Sequence, residues 1–175
     1  HDLPPINTRF TLGPEITEVQ QRFLDVYGFL HFSKVATPEE IQMLRDERDR
    51  IEQMWLDQKL TETHGIPFVF GRDGDGKRII HRTPFTSKYS EKIRAFVNDA
   101  RFEPVKSLVG EDVRVGEHEK DGVVINRYIN VPGNPYSKLG WHTDGLRDLF
   151  YLRMPVRMLN FGIHFDRITE EDGGL

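Results

Sequence analysis

The chain contains no cysteine among its 175 residues. This absence excludes disulfide bonds and thiolate metal sites, which leaves histidine and carboxylate side chains as the metal ligands to consider. The chain also lacks any apolar run near the roughly 20 residues that a bilayer-spanning helix needs. It has no run of lysine or arginine, and its net charge is −4, so it offers no electrostatic footprint for nucleic acid. We therefore expect a soluble, cytoplasmic protein without membrane or nucleic-acid partners.

What is present is an ordinary globular composition, with 37% hydrophobic and 30% charged residues. This length suffices for one domain with its own core. The sequence predicts three parts within that single domain, namely a surface arm over residues 1–13, a mainly helical part over 14–110, and a strand-rich part over 111–175. Helices followed by antiparallel strands indicate an α+β fold whose β part is a sandwich or a barrel.

The helical part carries clear start and stop signals. Residues 15–27 have helical periodicity, and Gly28 is a natural C-terminal stop. Thr37 and Glu40 form a capping box around Pro38, which predicts the start of a long helix. Its expected buried stripe is Ile41, Leu44, Ile51, Met54 and Trp55. The charged residues 45–50 are expected mostly on its outer face, as a solvated surface and not a binding site.

Shorter elements are expected before and after this long helix. A short strand is expected over residues 29–32 before it, and helices are expected over 90–100 and 103–109. The glycine- and aspartate-rich residues 71–76 lack the ligand series of a calcium loop and are not followed by a helix that would bind phosphate. They predict a tight turn between strands 66–70 and 77–81.

The motif Trp141-His142-Thr143-Asp144-Gly145 is the most informative part of the chain. Because side chains alternate along a strand, His142 and Asp144 would project from one face and could reach the same ion. They would then supply two of the three ligands of a 2-His-1-carboxylate site on Fe(II), which leaves positions for a co-substrate and dioxygen. The alternative is a strand-end histidine that is hydrogen-bonded to its neighbour.

A second pair has the same spacing, namely His164 and Asp166. It follows an alternating segment, residues 158–165, which reads as a well-formed strand. A histidine within a strand more often lines a cavity or faces solvent than binds a metal. The first pair follows a loop rich in turn-forming residues, and we favour it as the metal site.

Three segments together resemble the phytanoyl-CoA dioxygenase family. They are residues 23–30 with the helix start at 37–41, the motif at 141–145, and the acidic, glycine-containing segment 165–175. The resemblance implies a double-stranded β-helix, or jelly-roll, core with the N-terminal helices packed on it. It also implies hydroxylation of a small organic substrate that depends on Fe(II), 2-oxoglutarate and O₂, with 2-oxoglutarate decarboxylated to succinate. By this resemblance, His142 and Asp144 are the first two iron ligands.

In this family the distal histidine ligand and the arginine that holds 2-oxoglutarate follow well downstream of the His-x-Asp motif. No residue before Leu175 matches either one, and His31, His64, His81 and His118 would require a different chain order. A jelly roll without its last strands would expose an open edge. We therefore expect the native protein to continue beyond Leu175.

The strand before the His-x-Asp motif contributes to the 2-oxoglutarate pocket in this family. Here one face of residues 123–130 carries Asn126, Tyr128 and Asn130, which could supply those hydrogen bonds or could equally face solvent. Arg127, on the other face, is a second candidate because a guanidinium binds a carboxylate bidentately. Two other functions stay open, namely a metal-dependent cupin enzyme that is not an oxygenase, and a non-catalytic ligand-binding jelly roll.

Overall fold

The structure is a computed structural model that describes residues 3–129, 131–134 and 158–169. The chain divides into two compact units, one formed by residues 1–41, 103–113 and 155–175 and the other by residues 42–102 and 114–154. The described helices are α1 (Glu18–Tyr27), α2 (Pro38–Asp57), α3 (Thr86–Tyr89), α4 (Glu91–Val97) and α5 (Glu103–Ser107). The described strands are β1 (Phe10–Thr11), β2 (Phe32–Ser33), β3 (Glu62–Thr63), β4 (Ile66–Pro67), β5 (Phe70–Arg72), β6 (Arg78–Ile80), β7 (Arg82–Thr83) and β8 (Ile125–Asn126).

In the first unit, local interactions set both ends of α1. Thr17 and Gln20 exchange capping-box hydrogen bonds, at 2.8 Å from Thr17 N to Gln20 Oε1 and 3.2 Å from Gln20 N to Thr17 Oγ1. Gly28 ends the helix in the left-handed region with φ 79°, where its N–H donates to the Leu24 carbonyl. The predicted helix over residues 15–27 is confirmed with a start at Glu18 instead of Glu15.

The core of the first unit is an aromatic cluster around Phe23, which is fully buried. The ring of Phe23 meets those of Phe10, Tyr27 and Phe29 at centroid distances of 5.2, 4.5 and 5.8 Å. Phe10 lies in β1, which pairs in parallel with β2 in the register Phe10 to Phe32. The strand expected over residues 29–32 thus forms at Phe32–Ser33, where β1 offers a partner.

The start of α2 is the predicted capping box. Thr37 N donates to Glu40 Oε2 at 2.8 Å, and Glu40 N donates to Thr37 Oγ1 at 3.2 Å. In the second unit Leu44, Ile51 and Trp55 of this helix are buried. The indole of Trp55 stacks on Phe68 at 4.6 Å and meets Tyr89 edge-on at 5.1 Å.

The charged residues 45–50 lie mostly on the outer face of α2, as the sequence predicts, and Asp46, Asp49 and Arg50 are exposed. Glu47 is the exception and is buried, and so is Glu52, five residues further along the helix. The buried positions of α2, which are 44, 47, 51, 52 and 55, recur at helical spacing, so the buried stripe includes two charged positions. These charges are tolerated because partners from other elements reach them, as described below.

Strands β5 and β6 form an antiparallel hairpin in the register Gly71 to Ile79. Its turn is held by Asp73, whose Oδ1 accepts hydrogen bonds from the N–H groups of Asp75 at 3.0 Å and Lys77 at 2.8 Å. Gly76 closes the turn at φ 80°, a conformation that glycine adopts without strain. The predicted tight turn between two strands is confirmed.

The described residues contain helices and four two-stranded sheets, which confirms the α+β mixture. Within the described residues after position 112, β8 is the only strand. The strand predicted over residues 158–165 is wrong, because this segment has no strand conformation and Met158 and Phe161 are exposed. An alternating pattern forms a strand only when a ladder partner exists, and no other described segment pairs with this one.

The helices predicted over residues 90–100 and 103–109 are present as the shorter α4 and α5. Ser90 caps α4 by accepting a hydrogen bond from Ile93 N at 3.2 Å, and Phe96 packs edge-on against Phe102 at 5.5 Å. None of the helices in the described ranges is long and apolar enough to cross a membrane.

Candidate functional site

The strand before the His-x-Asp motif is anchored to the second unit by β7. β8 pairs antiparallel with β7 in the register Thr83 to Ile125. Beyond this pair, Arg127 N donates to the His81 carbonyl at 2.8 Å. The side chains alternate as the sequence predicts, since Ile125 is buried while Asn126 and Tyr128 are exposed.

The side-chain amide of Asn126 is hydrogen-bonded through its oxygen. Its Oδ1 accepts a 3.4 Å hydrogen bond from Arg82 Nη1, and Arg82 is itself held by the Asp121 carboxylate through Nε and Nη2. The Asn126 amide oxygen is thus oriented by the protein, which points the NH₂ group away from Arg82. No described residue accepts a hydrogen bond from that NH₂ group.

Arg127 lies on the opposite face of this segment, where carboxylates of α2 already balance its charge. Its Nη2 is 2.8 Å from Asp49 Oδ1, and its Nη1 is 3.5 Å from Glu52 Oε1. A co-substrate carboxylate at this guanidinium would meet two like charges from α2, which disfavours it. The geometry therefore favours Asn126 and Tyr128 over Arg127 as the candidates for co-substrate contacts.

The ion pairs of Arg127 belong to a larger network along α2. Asp49 Oδ1 also accepts from Arg48 Nη2 at 2.6 Å. Burial lowers the pKa of the Arg48 guanidinium, the charge of Arg127 lowers it further, and the Asp49 carboxylate opposes both effects. This network could not be predicted from the sequence, because Arg127 lies far from α2 along the chain, although the helical spacing of positions 48, 52 and 55 is visible there.

Glu47, which directly precedes this network in the sequence, is paired on several sides. Arg50 donates to its Oε2 from Nη2 at 2.7 Å, and Lys92 Nζ lies 3.3 Å from its Oε1. The hydrogen bonds from Arg50 and then from Ser90 are the main reasons that the pKa of Glu47 falls from 4.5 to about 2. This carboxylate therefore ties α2 to α4 and carries its charge at neutral pH.

His81 connects the ladder to the hairpin and was also missed by sequence analysis. Its side chain is buried, and Nδ1 lies 2.8 Å from the Arg127 carbonyl oxygen. A carbonyl oxygen only accepts, so this contact assigns the proton to Nδ1. On the other side of the ring, a Cβ at Gly71 would lie 2.0 Å from Nε2. Only glycine fits at that position in the hairpin.

A groove of about 360 Å³ lies between the hairpin and the turn at residues 131–134. Its described lining residues are Phe70, Gly71, Arg72, Arg78, Val131, Pro132, Gly133 and Asn134. Asn134 locks the turn onto β5, because its Oδ1 accepts from Arg72 N at 3.0 Å and its Nδ2 donates to the Arg72 carbonyl at 2.8 Å. The chain leads directly from this turn into the segment that carries His142 and Asp144.

His142, Asp144 and Asn130 lie outside the described residues, so their assignment stays a prediction. His164 and Asp166 are described, and both are exposed. In the described ranges no three histidine or carboxylate side chains are grouped so that they could hold a metal ion. The structure therefore places Asn126 and Tyr128 on one exposed face of their segment and Arg127 on the other face, and the assignment of the iron ligands rests on the sequence motif.

A protein-family model for phytanoyl-CoA dioxygenase (PhyH) matches residues 24–175. The chain therefore belongs to the phytanoyl-CoA dioxygenase family, as its motifs indicate. Members of this family are generally dioxygenases that use Fe(II) and 2-oxoglutarate, and their fold is of the cupin, or jelly-roll, type. Searches of curated proteins and of solved structures found no match.

Proposed function

We propose that the protein is an Fe(II)- and 2-oxoglutarate-dependent oxygenase that hydroxylates a small organic substrate and converts 2-oxoglutarate to succinate. The observation that carries this proposal is the family match over residues 24–175, which includes the motif His142-Thr143-Asp144. The proposed architecture is a single oxygenase domain with a jelly-roll core, to which the β7–β8 pair would belong.

The available donors fit the metal. The chain has no cysteine, and a histidine nitrogen with an aspartate oxygen is a donor set that suits Fe(II). His142 would bind through an imidazole nitrogen and Asp144 through a carboxylate oxygen. Bound Fe(II), with 2-oxoglutarate and O₂, would supply the oxidising chemistry that hydroxylates a C–H bond.

The described residues would contribute to the binding and orientation of the co-substrate. The Asn126 amide is held by Arg82 at 3.4 Å and has its NH₂ group available to donate to a carboxylate oxygen. Tyr128 lies on the same exposed face of the segment, and Asn130 continues the alternation by sequence. His81 fixes the backbone of this segment by accepting from Arg127 N and bonding to the Arg127 carbonyl.

Succinate formation tests the proposal directly. The intact protein, reconstituted with Fe(II) and given 2-oxoglutarate and O₂, should release succinate, and His142→Ala should abolish this release. His164→Ala is the matched control because that histidine is exposed and lies outside the proposed ligand set; it should retain succinate formation. Substrate turnover that does not require 2-oxoglutarate would instead support a cupin enzyme of another class. A protein that binds neither Fe(II) nor 2-oxoglutarate would support a non-catalytic jelly roll.

A further inference from the structure

We propose that the groove between the β5–β6 hairpin and residues 131–134 binds the anionic group of a small organic substrate, with Arg78 as the recognition residue. The proposal rests on the proposed function only in identifying this ligand as the substrate to be hydroxylated. A volume of about 360 Å³ lies at the lower end of small-molecule pockets, which span roughly 300–1,000 Å³.

An aromatic ring holds the guanidinium of Arg78 in place, and the N–H donors of this group stay unused. Its guanidinium carbon lies 3.8 Å from the centroid of the Phe70 ring, a stacked cation–π contact. The guanidinium makes no hydrogen bond or ion pair with the side chain or backbone of any other described residue. A guanidinium that is oriented but unpaired has its planar set of donors ready for a carboxylate or a phosphate.

The surroundings of Arg78 favour an anion. Arg72 is the second cation that lines the groove, and its Nη1 donates a hydrogen bond to the Gly76 carbonyl at 2.7 Å. No described aspartate or glutamate lines the groove. The two aspartates of the hairpin turn, Asp73 and Asp75, do not line the groove, and Asp73 uses its Oδ1 to accept two backbone N–H groups in the turn.

The remaining walls suit an apolar body next to the charged group. Phe70, Val131 and Pro132 line the groove with carbon surface. The side-chain amide of Asn134 is not available to the ligand, because its oxygen and its nitrogen are both hydrogen-bonded to the Arg72 backbone. The ligand class that matches these walls is a carboxylate or phosphate ester with a short hydrocarbon part.

Lys77 provides a matched control for Arg78. The two residues are adjacent in the hairpin and both are exposed, but Lys77 does not line the groove. Arg78→Gln and Lys77→Gln therefore remove the same charge from neighbouring positions. Hexanoate and hexyl phosphate are suitable probes, with hexanamide as the uncharged analogue of the same length. Titration of metal-free protein, followed by ligand-observed NMR, separates this test from the iron chemistry.

We expect at least one anion to saturate the wild-type protein and hexanamide to bind more weakly. Arg78→Gln should weaken anion binding about tenfold, the equivalent of one charge-assisted hydrogen bond, whereas Lys77→Gln should change it less than about threefold. Arg78→Lys, which keeps the charge and is the safer variant for folding, should fall between the wild type and Arg78→Gln. A preference between hexanoate and hexyl phosphate identifies which anion is the natural group.

Several outcomes would overturn the proposal. These are equal losses in Arg78→Gln and Lys77→Gln, binding of hexanamide as tight as that of the anions, or saturation by neither anion. Displacement of the bound probe by 2-oxoglutarate, together with loss of 2-oxoglutarate binding in Arg78→Gln, would assign the groove to the co-substrate instead. Loss of succinate formation with intact probe binding would count against the oxygenase activity and not against this site.

Discussion

The carboxylate of Glu52 accepts a hydrogen bond from the backbone N–H of Ile80, with 2.8 Å between Oε2 and N. Its other oxygen faces Arg127 at 3.5 Å. One buried side chain of α2 thus joins β6 to the segment that carries the candidate co-substrate contacts.

We predict that Glu52→Ala lowers the free energy of unfolding by about 3 kcal/mol, because it leaves Ile80 N and Arg127 without a buried partner. Glu52→Gln keeps an acceptor for Ile80 N and should lose less. Gln53→Ala, at the next and exposed position of α2, should cost less than about 0.5 kcal/mol. Urea unfolding measures all three, and similar losses for Glu52→Ala and Gln53→Ala would contradict the assigned role.

Glu47 makes stability depend on pH in the acid range. Its pKa is about 2 in the folded protein against an ordinary 4.5, so the folded state favours the ionised form. Its contribution is fully present above about pH 4.5 and is lost as the pH falls toward 2. Glu47→Gln should therefore be less stable than the wild type at pH 7, and this difference should narrow between pH 4.5 and 2.

Unfolding curves at several pH values check this prediction. Glu91→Gln is the control, because Glu91 is exposed and its ion pair with Arg94 lies in solvent. That variant should follow the wild-type pH profile. A constant difference between Glu47→Gln and the wild type from pH 7 to pH 2 would rule out the ionised Glu47 carboxylate as the cause.

Gly71 is required by the buried imidazole next to it. A Cβ at this position would lie 2.0 Å from His81 Nε2 and 2.8 Å from Asn134 Oδ1. Gly71→Ala should cost about 1–3 kcal/mol through overpacking. Gly74→Ala, in the same hairpin with nothing within 4 Å, should be close to neutral in a thermal melt. Equal melting temperatures for the two variants would contradict this packing.

These contacts show what the sequence could and could not predict. The capping box at Thr37 and the turn at Asp73 depend on residues within four positions of each other, so local patterns were enough. The burial of Glu47 and Glu52 depends on Lys92, Ile80 and Arg127, which are distant in the sequence. The strand expected over residues 158–165 failed for the same reason, because pairing depends on a partner elsewhere. The iron ligands were proposed from motif and family alone.

The two His-x-Asp pairs can be compared by substitution of their acidic residues. Asp144→Ala should weaken Fe(II) binding more than tenfold, because it removes an anionic ligand from a hard cation, whereas Asp166→Ala should stay within about a factor of ten. Asp166 is exposed and lies in a segment without strand structure. Calorimetric titration of both variants with Fe(II) under anaerobic conditions measures the difference. Equal losses would mean that the wrong pair is assigned to the metal.

The most direct test of the central claim is the visible spectrum of the intact protein, loaded anaerobically with Fe(II) and 2-oxoglutarate. A keto acid that chelates the metal through two oxygens gives a weak metal-to-ligand charge-transfer band, which requires adjacent open positions on the iron. We predict this band in the wild-type protein and in His164→Ala, and its loss in His142→Ala. Absence of the band from wild-type protein that binds Fe(II), or its persistence in His142→Ala, would contradict the account.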